Sequence, residues 1–148
     1  MNLPKYALSS NDDFHFYKFV STGPKGDIVK GIQFSLIELS DTPLYNLALG
    51  DIDPDTGELD DTIRSNNGDR DIIFATIGCA VMDFCSRHKD LYILAEGNTP
   101  AKQMLYRIQV ATHLESVNEY FEVFGLFEDN WEVFQKNRKY ESLLVSQK

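Results

Sequence analysis

The chain has 148 residues, 43% of them hydrophobic and ten of them Phe, and a formal net charge of −9. Its length fits one domain with a substantial core, and its apolar content excludes disorder. A mean hydropathy of −0.30 with scattered charges excludes a helical membrane span, and the acidic balance opposes non-specific contact with nucleic acid, whose phosphates would be repelled at long range.

The opening MNLPKYALSS has no apolar core of the kind a secretory signal carries, so a cytoplasmic protein is expected. Cys79 and Cys85 are the only cysteines. Six positions apart on one helix, they are too far separated to bridge, and buried reduced thiols are predicted.

Residues 14–20 and 28–39 are rich in aromatic and β-branched side chains and predict two strands of a hairpin joined by STGPKGD. That loop lacks the Gly-Lys-Ser/Thr ending and the following helix of a phosphate-binding P-loop, so it reads as a turn. Ile32, Phe34 and Leu36 alternate, Val29 is out of phase with them, and Gly31 predicts a bulge. SDTP then leads into LYNLALGD, a third strand with Tyr45, Leu47 and Leu49 on one face, which completes an antiparallel meander.

DIDPDTGELDD, residues 51–61, is the densest acidic stretch and calls for a calcium test. Asp51, Asp53 and Asp55 match alternate ligand positions of an EF-hand loop, but Gly57 comes one position late and Thr62 stands in place of the closing Glu. The stretch reads as a solvated turn, and no metal site is expected.

SNNGD, residues 65–69, delivers the chain into a long helix. Asn67 and Gly68 supply left-handed turn geometry, Asp69 is a cap and Asp71 lies in the first turn, while Arg87, His88 and Lys89 close the helix in the dipole-favoured sense. Its core stripe is Ile73, Ile77, Ala80, Val81 and Phe84.

The apolar run LYILA predicts a central strand over residues 91–96, covered on both faces. In the turn that follows, Gly97 permits a sharp change of direction, Thr99 is a favoured N-cap, and Pro100 suits the first helical position because its missing N–H would have no partner there. Helical spacing puts Ala101, Met104, Leu105, Ile108 and Thr112 on one face, assigned to the core. Lys102, Tyr106, Gln109 and His113 form a stripe beside it, with Arg107 on the other flank, and Tyr106, Gln109 and Arg107 are expected to be exposed. Lys102 runs against the helix dipole, as do Glu115 and Glu119 toward the expected end, and a bound anion would account for a cation at a helix start. The candidate ligand-binding residues are therefore Asn67, Gly68, Asp69, Gly97, Asn98, Thr99, Lys102, Tyr106 and Arg107, with the SNNGD turn as the opposite wall if the two turns meet.

Residues 121–128 and 131–135 alternate like strands about Asp129-Asn130 and predict a terminal hairpin, while residues 140–145 fit a last strand or a short helix equally. The chain is expected to be one α+β domain over residues 1–148. Its mainly antiparallel sheet would comprise the N-terminal meander, central strand 91–96 and C-terminal hairpin, with two main helices packed on it. Phe34, Ile77, Phe84, Ile93, Leu105 and Ile108 are expected in the core.

The segments SNNGD, ATIGCAVMDF and GNTPAKQMLYRIQV, with FVSTGPKG, YNLALGD and FEVFGL elsewhere, resemble an uncharacterised bacterial family of single-domain proteins. Its members carry an S-N-N-G-D turn and a G-[SN]-T-P-A-[RK]-x-x-L-Y-R segment, and the similarity extends over most of this chain. The resemblance implies a positive charge kept at position 102 and a small regulatory or interaction protein; it supplies no catalytic residues.

Convergent catalytic groups are not visible in the sequence. The two cysteines sit in a packed helix, His15, His88 and His113 have no ligand spacing, and neither a nucleophile elbow nor a dinucleotide fingerprint occurs. The preferred reading is a non-catalytic binding or regulatory module that recognises an anionic group at residues 97–102. It would need no cofactor, and would act on a protein partner or a small anionic ligand rather than on nucleic acid or membrane. The alternative is an enzyme acting on a phosphorylated or nucleotide-like small molecule.

Overall fold

The computed structural model describes residues 3–60, 67–97 and 99–148. Strands β1 (Ser9–Ser10), β2 (Phe16–Gly23), β3 (Gly26–Glu38) and β4 (Leu44–Ile52) form the antiparallel meander, and β5 (Leu59–Asp60) folds back on β4. Next come α1 (Arg70–Arg87), β6 (Tyr92–Ala95), α2 (Pro100–Thr112) and α3 (Leu114–Tyr120), then β7 (Phe121–Phe127), β8 (Asn130–Val133) and β9 (Leu143–Gln147). One sheet results, in the order β1-β2-β3-β4-β6-β9-β7-β8 with β5 beside β4. Its one parallel pairing among the described residues is β4 with β6, where α1 carries the chain back so that both strands run the same way. The architecture is the α+β arrangement that the strand pairs at both ends predict.

Alternation along the strands decides which face is buried. Tyr17 and Phe19 of β2, Ile32 and Phe34 of β3, Leu47 and Leu49 of β4, Ile93 of β6, Val123 of β7 and Leu143 of β9 are all buried. Phe84 of α1 lies flat on Phe34 with ring centroids 4.2 Å apart, an offset aromatic contact that pins the helix to the meander. Nearer β7, a void of about 70 Å³ is bounded by Ile77 of α1, Tyr106 and Val110 of α2, Val117 of α3 and the strands beneath them, so the three helices share one side of the sheet.

Several expectations need correction. Residues 143–147 resolve the ambiguous C-terminus as a strand that inserts between β6 and β7, pairing Val145 with both Ile93 and Val123. Strand β6 is central as predicted, yet among the described residues no second layer covers it, and Tyr92 and Leu94 are only half-buried. Register is unbroken through Gly31, and the irregularity falls instead between Leu36 and Glu38. A Cβ at Gly31 would stand 2.8 Å from Ile52 Cδ1 and 3.0 Å from Phe16 Cζ, side-chain ends that would have to shift to admit it.

The second helix is rotated from the expected face. Tyr106 and Gln109 are each 4% exposed and Val110 is buried, whereas Met104 is 49% and Ile108 38% exposed, and Leu105 is half-buried. Positions 106, 109, 110, 113 and 117 keep helical spacing across the α2–α3 junction and include Val110 and Val117. The stripe beginning at Ala101 ends on Thr112 and offers no comparable apolar continuation. The other expected core residues, Phe34, Ile77, Phe84 and Ile93, are buried. The helix also breaks at His113, so Glu115 falls in the first turn of α3, where the dipole favours it.

This rotation has a measurable consequence for stability. Tyr106→Ala should lose about 3–5 kcal/mol, as large aromatic truncations in a core do, while Ile108→Ala should lose under about 1 kcal/mol. Urea denaturation of the two variants checks this ranking, and the reverse order would restore the Met104–Ile108 face to the core.

Candidate functional site

The start of α2 is built from local capping. Thr99 Oγ1 accepts the Lys102 backbone N–H at 3.2 Å, Pro100 occupies the first turn, and Gln103 Nε2 donates to the Gly97 carbonyl at 2.9 Å. Gly97 serves close approach rather than a left-handed turn: a Cβ there would lie 2.4 Å from the Gln103 backbone nitrogen. Asn98 lies outside the described residues, as do Ser65 and Asn66.

Lys102 does not extend into open solvent from the helix surface. It is half-buried, and its Nζ donates to the Leu49 carbonyl, tying α2 to β4 and holding the ammonium at the sheet.

Asn67 and Asp69 of the SNNGD segment line the same cleft as this helix start. Asn67 Oδ1 accepts the Lys25 N–H at 2.7 Å, and its Nδ2 donates to the Gly26 carbonyl at 2.8 Å, so one buried amide closes the β2–β3 turn. Gly68 has the left-handed φ of 73° expected of it. Asp69 occupies the N-cap position of α1 but makes no side-chain cap bond; its Oδ2 accepts from Tyr6 Oη at 2.6 Å and from Ser21 Oγ.

Together these elements enclose a cleft of about 380 Å³, walled by Asn67, Asp69, Arg70 and Ile73 on one side and by residues 100–102, Met104 and Leu105 on the other. Its floor is Leu49, Gly50 and a buried ion pair, Lys30 Nζ to Asp51 Oδ1 at 2.8 Å. The pair occupies directly opposed positions on β3 and β4 and is 5% and 7% exposed. Among the described residues three cationic side chains and two carboxylates line the space, a formal excess of one positive charge in a chain of −9. Two helix N-termini add roughly half a positive charge each.

Of the predicted residues, Asn67, Asp69 and Lys102 line the cleft, while Gly68 and Thr99 shape its two turns. Tyr106 and Arg107 do not line it. Tyr106 turns into the core, where burial raises its hydroxyl pKa, so Tyr106 and Gln109 are buried and not exposed as expected. The sequence reading missed Lys30, Asp51, Arg70, Ile73, Met104 and Leu105. A signal for the first two was present: Lys30 is in phase with Ile32 and Phe34, and Asp51 with Leu47 and Leu49, so each strand carried a charge at an inward position.

At the other end of α1 the fold assembles a second polar group. Burial alone would raise the Asp83 pKa, but hydrogen bonds from Tyr17 Oη at 2.6 Å and Arg87 Nε at 3.0 Å hold it below the usual carboxylate range. His15 and His88, without any sequence relation, meet there with ring centroids 4.7 Å apart. Among the described residues no group of three metal-ligating side chains forms; within the acidic segment residues 53–58 turn, with Asp53 Oδ1 accepting the Asp55 N–H, and Leu59–Asp60 pair back on β4.

Two outcomes test this arrangement. Burial pushes the Cys85 thiol up to about 11 while Cys79 is exposed, so an aromatic disulfide reagent at pH 8 should titrate one thiol in the native protein and two after unfolding. Lys30→Met should lose about 1.5–3 kcal/mol, read by urea denaturation, by removing one charged hydrogen-bond partner from the buried Asp51 carboxylate.

No curated protein and no solved structure matches the chain. A family of unknown function, DUF6934, matches over residues 2–148, and the chain belongs to that family.

Proposed function

We propose that the cleft binds a small anionic molecule and that the protein is a non-catalytic binding or regulatory module of the bacterial cytoplasm. One observation carries the reading: two helix N-termini and Lys102 converge on a single cavity with an excess of positive charge in an otherwise acidic chain. A volume of about 380 Å³ lies at the small end of the roughly 300–1,000 Å³ range of ligand pockets, which favours a metabolite-sized ligand over a nucleic acid or a dinucleotide. Among the described residues no helix is long and apolar enough to cross a membrane, and two unpaired cysteines fit a reducing compartment.

Calorimetric titration at low salt with phosphate, sulfate and small carboxylates tests the proposal. At least one of these anions should bind, its affinity should fall as salt rises, and Lys102→Glu should weaken it by about tenfold or more, equivalent to roughly 1.4 kcal/mol. Thermal unfolding of the variant separates loss of the site from loss of the fold. Failure of every anion to bind the wild type overturns the proposal.

A further inference from the structure

We infer that the ligand of this cleft is a zwitterion, an amino-acid-like molecule whose ammonium meets Asp69, whose acid group meets the start of α2, and whose apolar side chain lies on Ile73 and Leu105. The inference rests on the anion-binding reading and goes further by naming the ligand class. Its starting point is Asp69, a wall residue only 6% exposed. Both hydrogen bonds it receives come from neutral hydroxyls and end on Oδ2. Among the described residues neither a hydrogen bond nor an ion pair reaches Oδ1, and the N-cap bond that an Asp in this position ordinarily makes is not formed.

Nor is that oxygen sealed inside the protein. The buried side-chain atoms that lack partners among the described residues are Gln109 Oε1 and His113 Nε2. Asp69 Oδ1 is therefore an acceptor that keeps some accessible surface on an otherwise buried carboxylate that lines the cleft. Such a group is best matched by a cationic donor, because charge-assisted hydrogen bonds are shorter and about twice as strong as neutral ones. A ligand with only negative charge would instead set its own charge near that of Asp69.

The opposite wall asks for the reverse charge, with Lys102 and the first turn of α2 presenting a cation and backbone N–H groups. Apolar side chains flank both charges, Ile73 on the Asp69 side and Leu105 and Met104 on the Lys102 side. Met104 is a large apolar side chain left half exposed on the rim, and methionine adapts its shape to what it covers. Opposed charges bordered by apolar side chains, in a cavity of about 380 Å³, describe the outline of an apolar amino acid.

The test uses the whole protein and compares L-leucine and L-methionine with 4-methylpentanoate, which is leucine without its ammonium, with 3-methylbutylamine, which lacks the carboxylate, and with inorganic phosphate. At low salt one of the two amino acids should bind at least about tenfold tighter than either truncated analogue, the loss expected when a buried charged acceptor is left without its donor. Asp69→Asn should abolish the preference over 4-methylpentanoate. Asp69 also holds Tyr6 and Ser21, so the analogue comparison on the wild type decides the matter even if that variant folds poorly. If 4-methylpentanoate or phosphate binds as tightly as the amino acids, the zwitterion inference is overturned and the anion-binding reading stands. If none of the five binds, both fall.

Discussion

Much of this structure depends on how the short Asn67–Asp69 segment is held against the β2–β3 hairpin. The Asn67 amide takes one N–H and supplies one to the two sides of the turn, and Asp69 gathers hydroxyls from the N-terminal segment and from β2. A Cβ at Gly23 would clash with the Asn67 backbone carbonyl oxygen, so the approach of the two backbones requires that glycine. Buried amides and carboxylates with several partners lose much when any one is removed, which makes the junction all-or-none. It fixes where α1 begins, and hence the direction in which α1 crosses the sheet to stack Phe84 on Phe34.

Because α1 starts there, one wall of the cleft is set by the same bonds that close the hairpin. The other wall is tied to the sheet separately, by Lys102 reaching from α2 to the Leu49 carbonyl. The two walls thus rest on adjacent strands: the Lys30–Asp51 pair joins β3 to β4 beneath them. A buried ion pair contributes little net stability compared with apolar side chains of the same volume, since desolvation offsets most of its attraction. Its position at the floor of a cavity is better understood as an electrostatic feature of that cavity than as a stabilising device.

The acidic surface and the positive cleft act over different distances. At physiological salt the field of exposed charges decays over roughly 8 Å, so the overall charge of −9 governs approach while the enclosed charges govern what is retained. An acidic exterior discourages polyanions, and a small ligand with one acid group is far less affected. This division favours a site for metabolites over one for nucleic acid.

The sequence by itself determined the strands of the meander, both long helices, the capped turn at Thr99 and the left-handed Gly68, because each follows from side-chain period or from the φ that a residue tolerates. It also brought out five of the residues that now line or shape the cleft. What only the tertiary structure decided was which neighbours those residues meet. Residues 140–145 were ambiguous because a short apolar run becomes a strand only when β6 and β7 flank it. Local apolar content favours the Met104–Ile108 face of α2, and packing across the α2–α3 junction, where Val110 and Val117 continue the Tyr106 stripe, overrides it. Asp51 looked like one more residue of a solvated acidic turn, and its burial depended on Lys30, more than twenty residues away, lying directly opposite on β3. Local periodicity carries no record of such long-range pairings, since the free energy that selects them arises only when distant strands and helices exclude water from the same space.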